Sequence, residues 1–169
     1  QAMEHLQEDL AAVAQSHGPM PEPLPAARAA LPLALGADGV MVPFRPEAGA
    51  PTGKTRWREI KVGVLARLSQ HRTRTGQVVT RLAHRRLVAV LGDIERLTPR
   101  LWLEAVRQGI LSAPQVVWLS DGGRGLWRLF DERFACHATG VLDFYHAAQH
   151  LWQAAAAWSF RTSTSSWST

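Results

Sequence analysis

Short apolar runs, separated by segments rich in proline, glycine and charge, dominate the first half of the chain after a proline-rich stretch. The runs Leu33 to Val42 and Glu59 to Leu68 predict two strands joined by a polar loop. Apolar residues in Gln77 to Thr80 and Leu87 to Leu91 predict a third strand, interrupted by the basic segment between them. We expect these three strands to pair antiparallel.

The second half alternates helical spacing with short continuous apolar runs. The apolar spacing after Asp93 predicts a helix that ends at Gly109. Beyond it we expect, in order, strand Gln115 to Leu119, helix Arg124 to Arg133, strand Ala138 to Leu142 and helix Phe144 to Trp158. This order predicts an α/β fold with a ribonuclease H-like mixed sheet, in which the later strands lie parallel beside the first.

The segments before and after the predicted core differ from it in composition. Residues 1–32 are interpreted as the end of an upstream helix followed by a proline-rich linker, which can hardly form regular structure. Residues 33–158 form the expected core, and the serine- and threonine-rich residues 159–169 are expected to be a disordered tail. Both ends of the pattern indicate an incomplete chain, with a core that is truncated at its C-terminal end.

Composition narrows the class of protein. The 169 residues, 46% of them hydrophobic, suit one soluble domain. The net charge of +5 and a pI near 10.6 favour a polyanionic partner. The single cysteine, Cys136, excludes an internal disulfide and fits the reducing cytoplasm, and nothing predicts a membrane span or a secretion signal. Tryptophans such as Trp57 and Trp118 are expected to be core residues.

Two aspartates occur where apolar strands are predicted. Asp38 interrupts the first strand, and Asp121 lies just past the end of the predicted strand Gln115 to Leu119. A carboxylate in apolar surroundings is costly unless it is paired or binds a metal. If the two strands are neighbours, both carboxylates can share Mg²⁺ or Mn²⁺, which prefer oxygen ligands. The alternatives are a turn at Asp38 and a helix cap at Asp121.

Four segments, in this order, resemble bacterial insertion-sequence transposases of the Kra type. They are Ala37–Pro43 (ADGVMVP), Trp57–Gly63 (WREIKVG), Leu119–Trp127 (LSDGGRGLW) and Val141–Leu151 (VLDFYHAAQHL). The resemblance runs from about residue 33 to residue 158. It implies a DDE-type transposase, which cuts the DNA at the ends of an insertion sequence and joins the 3′ hydroxyl to target DNA.

The resemblance also implies roles for individual residues. Asp38 and Asp121 correspond to the first two metal-binding carboxylates of the DDE triad, with Mg²⁺ or Mn²⁺ as cofactor. Asp143 and His146 match the D-x-x-H element that supports the active site, although Asp143 is equally well placed to cap the last helix. The family's third carboxylate is a glutamate further along the chain, and no acidic residue follows Asp143.

A basic cluster in the third-strand region suggests a path for DNA, since phosphate neutralisation supplies much of the affinity of DNA-binding proteins. Its members are Arg67, His71, Arg72, Arg74, Arg81, His84, Arg85 and Arg86, of which Arg72, Arg74, Arg85 and Arg86 are the predicted DNA contacts. The alternative is a solvated hairpin. The expected partners are transposon and target DNA and, in the intact protein, a second transposase subunit.

Two other functions compete with transposition. One is a catalytically inactive remnant that binds DNA through its arginines, which the missing third carboxylate favours. The other is a metal-dependent nuclease of the same fold.

Overall fold

Helices and strands alternate along the part of the chain that the structure, a computed structural model, describes. This part comprises residues 24–44 and 55–163, without the side chains of residues 146, 150 and 157–163. The helices are α1 (Ala26–Ala29), α2 (Ile94–Arg107), α3 (Arg124–Leu129, continued by a π-helical turn Phe130–Phe134) and α4 (Phe144–Ser163). The strands are β1 (Leu33–Phe44), β2 (Arg56–Arg72), β3 (Val78–Leu91), β4 (Val116–Ser120) and β5 (Thr139–Leu142).

The five strands form one mixed sheet in the order β3-β2-β1-β4-β5. β1 pairs antiparallel with β2, and β2 with β3. β1 pairs parallel with β4, and β4 with β5. The prediction of an α/β protein with three antiparallel strands followed by parallel strands beside the first is therefore confirmed.

One face of the sheet is covered by α2 and α3. Because successive side chains of a strand point to opposite faces, Leu33, Leu35 and Ala37 of β1 all point into this layer. Leu33 and Leu35 are buried there with Trp118 of β4 and Leu97 and Leu101 of α2. The helix α2 begins where predicted, because the Asp93 side chain accepts a hydrogen bond from the Arg96 N–H and caps it.

β3 is continuous, so the predicted interruption at the basic segment is wrong. The segment stays in the ladder through a register shift between Leu65 and Arg67, and His84 there has a φ of 50°. β3 is also an edge strand, so charged side chains such as Arg81 and Arg85 remain exposed to water.

The ends of the core also differ from the prediction. The proline-rich segment contains a single helical turn, α1. The chain after α1 is held in place by Arg67, which donates a hydrogen bond to the carbonyl oxygen of Leu31. At the other end α4 continues to Ser163, so residues 159–163 are helical and not part of a disordered tail. The predicted upstream helix and residues 164–169 lie outside the described residues. Among the helices that are described, none combines the length and apolar character needed to cross a bilayer.

Candidate functional site

Three aspartates follow one another across neighbouring strands of the sheet. The parallel ladder between β1 and β4 pairs Ala37 with Ser120, so the next residues in register are Asp38 and Asp121. The ladder between β4 and β5 pairs Ser120 with Leu142, and one step further it aligns Asp121 with Asp143. Neighbouring strands lie about 4.8 Å apart. We call Asp38, Asp121 and Asp143 the carboxylate row; Asp121 is its central member.

Asp38 lies within β1, where it pairs with Val62 of β2. The next residue, Gly39, pairs with Lys61 in the same ladder, so the alternative of a turn at Asp38 is wrong. The side chain is exposed on the face opposite the core, and its Oδ1 accepts the Gly39 N–H at 2.6 Å. The expectation that this carboxylate is costly because of apolar burial is therefore also wrong. Asp38 acquires a carboxylate neighbour through the register of β1 with β4, which aligns it with Asp121.

Asp121 is held by the backbone that follows it. Its Oδ1 accepts the Gly123 N–H at 2.9 Å, and its carbonyl oxygen accepts the Trp127 indole N–H at 2.6 Å. The N-cap of α3 is Gly123, without a side-chain cap bond, so the alternative of a helix cap at Asp121 is wrong. A Cβ on Gly123 would lie 2.9 Å from Asp121 Oδ1, so glycine is what allows this close approach. The bond forms an Asx-type turn that fixes the carboxylate at the strand end.

Asp143 lies between the last residue of β5 and the first residue of α4. Its N–H donates to the Ser120 carbonyl at 2.9 Å, which extends the ladder with β4 by one residue. Its Oδ1 accepts the Tyr145 N–H at 2.9 Å, which is a helix-capping bond. The capping role is thus present, and it leaves Asp143 in the carboxylate row. His146 lies in the first turn of α4, but its side chain is outside the described part, so its predicted role stays a prediction.

The carboxylate row offers oxygen donors that suit Mg²⁺ or Mn²⁺. Mg²⁺ is commonly held by one or two carboxylates, with water and substrate phosphates completing its shell. Asp38 and Asp121, on adjacent strands, fit that requirement. Within residues 24–44 and 55–163, however, no group of three or more His, Cys, Asp and Glu side chains is close enough to hold a metal ion. The fit is that of a two-carboxylate site.

The four predicted DNA contacts lie on the β2–β3 hairpin and are exposed. Arg72 donates to the Gly76 carbonyl at 3.2 Å at the hairpin end, and Arg86 lies 3.8 Å from Glu104 of α2. Along β2, Arg72 is ten residues beyond Val62, the partner of Asp38. At about 3.3 Å per residue, roughly 30 Å separates Arg72 from the carboxylate row. Arg72 and Arg74 are therefore remote from the row, which leaves both the DNA path and the solvated hairpin open.

Arg67 was grouped with this basic cluster, and the structure corrects that assignment. Its side chain is fully buried and donates to the carbonyl oxygens of Leu31 and Gln108. Burial, and secondarily the charge of Arg28, lowers the pKa of Arg67. Arg67 is a structural residue.

Residues at the loop end of the β1–β2 hairpin escaped the prediction. Trp57 was expected in the core but is 59% exposed, and the Arg58 guanidinium lies 5.4 Å from the centre of the Phe44 ring. β1 runs from Asp38 towards Phe44, so this group lies beyond Asp38 along the strand, and Phe44 and Arg58 share the face of Asp38. The alternation of arginine and tryptophan in Arg56-Trp57-Arg58 was the available signal.

The site is thus defined by strand register, with two fixed carboxylates at its centre and a third at the start of α4. Of the arginines first expected to contact DNA, Arg72 and Arg74 lie far from it, at the end of the β2–β3 hairpin. Comparisons of the chain with protein-family models, with curated proteins and with solved structures find no match.

Proposed function

We propose that this chain carries the catalytic core of a DDE-type transposase, a metal-dependent enzyme that cuts and joins DNA strands. The observation that carries the proposal is the carboxylate row. Asp38 and Asp121 are 83 residues apart in the chain, yet they follow directly on the last paired residues of adjacent parallel strands. The four sequence segments that resemble insertion-sequence transposases include all three members of the row.

The topology supports a ribonuclease H-like fold as part of the same proposal. Three antiparallel strands come first, and the two later strands lie parallel beside β1 in the order β3-β2-β1-β4-β5. In open α/β sheets, ligands bind outside the carboxyl ends of the parallel strands. The carboxylate row lies at the carboxyl ends of β4 and β5, where this rule expects chemistry.

The proposed reaction is hydrolysis of a phosphodiester at a transposon end, followed by attack of the 3′ hydroxyl on target DNA. Asp38 and Asp121 would hold Mg²⁺ or Mn²⁺, and two such ions supply activation of the attacking hydroxyl and stabilisation of the leaving oxygen. Asp121 keeps its orientation through the Gly123 N–H, and Asp143 keeps its own through the Tyr145 N–H. Asp143 would support the active site from its position beside Asp121, at the start of the helix that carries His146.

DNA would contact both the carboxylate row and the arginines of the β2–β3 hairpin. The separation of roughly 30 Å is close to one helical turn of duplex DNA, about 34 Å. Arg72 and Arg74 would then neutralise phosphates one turn away from the reacting bond. Because two transposon ends must be joined in one reaction, a second subunit is part of the proposal.

An inactive DNA-binding remnant is the second candidate. It is favoured by the absence, among the described residues, of a three-ligand group that could hold a metal. Metal binding at the carboxylate row distinguishes the transposase from the remnant, because a protein that only binds DNA needs no metal ion.

Paramagnetic broadening by Mn²⁺ tests the proposed site directly. In a ¹⁵N-labelled chain, Mn²⁺ should broaden the amide signals of Gly39, Gly122 and Gly123 before those of the hairpin end around Gly76. Asp38→Asn and Asp121→Asn should each abolish the selective broadening. Asp131→Asn, which removes an exposed aspartate from the π-helical turn, is the matched control and should retain it. Equal broadening across the chain would reject the metal site.

A DNA assay then tests the reaction. The chain is incubated with Mn²⁺ and a labelled DNA that carries the inverted repeats of its own element, with the same three variants. Joined products that disappear in both Asp38→Asn and Asp121→Asn would support the transposase. Cleavage without joining would indicate a nuclease instead, and DNA binding without either product would indicate the remnant.

A further inference from the structure

The face of the sheet opposite α2 and α3, which we call the open face, carries a row of apolar side chains. The row passes through Gly36 of β1, two residues before Asp38. Its large members are paired across the other four strands and are between 38% and 68% exposed: Leu87, Val64, Leu119 and Val141. A contiguous apolar patch on a protein surface marks a place where another surface packs.

Helix α4 presents a second exposed apolar surface. Apolar residues recur along it at the i, i+3, i+4, i+7 and i+8 spacing of an amphipathic helix, and we call them the α4 stripe: Phe144, Ala147, Ala148, Leu151 and Trp152. Gln149 and Gln153 lie on the other side of the helix. The large side chains Phe144, Leu151 and Trp152 are 74%, 71% and 76% exposed. A helix with such a stripe normally buries it against another element.

The connection between β5 and α4 limits where the stripe can pack. Only Asp143 separates Leu142, which ends β5, from Phe144, which begins α4. Asp143 donates its N–H to the Ser120 carbonyl and accepts the Tyr145 N–H, so the strand end and the helix start are both fixed. Strand-to-helix connections within one sheet commonly have about 2–6 residues. A single fixed residue therefore disfavours a return of α4 onto the open face of its own chain, and both surfaces are exposed together.

The two surfaces match in size and in polarity. The 20 residues of α4 span about 30 Å, and five strands span roughly 20 Å, so the helix can cross the whole row. Neither the row nor the stripe contains a charged residue. If two copies of the chain exchange their helices, the contact forms twice. It then buries on the order of 1,600 Å², which is the size of a stable protein interface.

From the two exposed apolar surfaces and the one-residue connection, we propose that two copies of this chain exchange α4, so that the α4 stripe of each covers the open face of the other. Short hinges favour such exchange, and the resulting dimer is symmetric. The inference rests on these surfaces and not on the proposed transposase reaction, since neither Asp38 nor Asp121 belongs to them. We expect a Kd of about 10 μM, so that the open face is bare in dilute solution.

Sedimentation equilibrium of the chain, without metal or DNA, tests the dimer. Leu151→Glu in the stripe and Leu119→Glu in the row should each raise the dimer Kd at least tenfold, because each substitution acts twice in a symmetric dimer. Leu111→Glu is the matched control and should leave the Kd unchanged, because this leucine is 65% exposed in the turn after α2. Circular dichroism checks that each variant keeps its fold.

Cross-linking distinguishes exchange from a helix that folds back on its own chain. In a Cys136→Ser background, Leu119→Cys protein is mixed with Leu151→Cys protein and treated with a short bismaleimide. The mixture should give covalent dimers well above the yield of either variant alone. A chain that carries both cysteines should also be linked mainly to a second chain. A link mainly within one chain would overturn the exchange.

A longer connection provides a test that leaves both surfaces intact. About six Gly and Ser residues inserted between Leu142 and Asp143 give α4 the reach to fold back. The lengthened chain should be monomeric, and its two-cysteine form should now be linked within itself. An unchanged dimer would overturn the proposal. So would a parent chain that stays monomeric up to about 1 mM, since the open face would then be left to another segment of the chain or to a different protein.

Discussion

The two faces of the sheet differ in what their side chains do. On the covered face, Leu35 and Trp118 are buried against α2 and α3. On the open face, one row of paired residues crosses all five strands: Leu87, Val64, Gly36, Leu119 and Val141. Apart from the glycine, these are large apolar residues that stay exposed. In β1, Asp38 lies on this open face, two residues beyond Gly36. Because alternate residues of a strand point to opposite faces, the residues that stabilise the fold lie on the covered face and those of the proposed chemistry on the open face.

The largest expected effect comes from β4, where neighbouring residues lie on opposite faces. Trp118 is fully buried and stacks on Phe134 with a 5.0 Å separation of ring centres. Trp118→Ala should lower the free energy of unfolding by roughly 3–5 kcal/mol. Leu119, which is 47% exposed, is the matched control, and Leu119→Ala should cost less than about 1 kcal/mol. Urea denaturation followed by circular dichroism measures both. Similar losses in the two variants would show that the open face is covered in solution.

A second contrast lies within β2, between a buried and an exposed arginine. Arg67→Met keeps most of the side-chain volume but leaves the carbonyl oxygens of Leu31 and Gln108 without their donor. We expect a loss of about 1–3 kcal/mol, after the relief of a desolvated charge has offset part of it. Arg72→Met at the exposed end of the strand should stay within about 0.5 kcal/mol of the parent.

The same two arginines should separate in DNA binding. Arg72→Met should reduce the salt dependence of binding to duplex DNA by about one counterion. Arg67→Met should leave the salt dependence unchanged, because the buried guanidinium does not reach phosphate. An unchanged salt dependence in Arg72→Met would favour the solvated-hairpin interpretation.

The sequence predicted the order of helices and strands well, because the spacing of apolar residues and the glycines and prolines that bound each element are local signals. Alternating helices and buried runs after Gly92 were enough to place the later strands parallel to β1, on the side away from β2. The burial of Arg67 was not predictable in this way, since it depends on carbonyl groups of Leu31 and Gln108 that are distant in sequence. The continuity of β3 was missed because an edge strand tolerates charges that a central strand would not.

The candidate site was predictable in part for the same reason. Asp38 and Asp121 were found from their strands, but their alignment needed the register between β1 and β4. The apolar surroundings of Asp38 suggested burial, whereas one face of β1 is open in the described structure. A side chain's neighbours in sequence do not say which face it occupies until the pairing is known.

A third prediction distinguishes two roles of Asp143: its helix-capping bond and its negative charge. Asp143→Ala removes the acceptor of the Tyr145 N–H and should cost about 1 kcal/mol of stability. Asp143→Asn retains an oxygen that can accept this bond, and it should cost only a few tenths of a kcal/mol. Thermal denaturation of both variants makes the comparison. If Asp143→Asn were as unstable as Asp143→Ala, the charge of Asp143 and not its capping bond would be what stabilises α4.

The smallest expected effect is on the open face itself. Like charges that face each other across neighbouring strands are destabilising, so removing one from the carboxylate row should raise stability slightly. We expect Asp38→Asn to gain roughly 0.2–0.5 kcal/mol in a buffer without divalent ions, because its amide oxygen can still accept the Gly39 N–H. The gain should shrink in high salt, where the repulsion is screened. With Mn²⁺ present the order should reverse, because an ion that binds only the folded parent stabilises it by mass action. Urea midpoints of parent and variant, with and without Mn²⁺, measure this crossover. A variant that stays more stable in both buffers would mean that the carboxylate row is no metal site, and would leave the open face as a surface of exposed apolar and acidic groups.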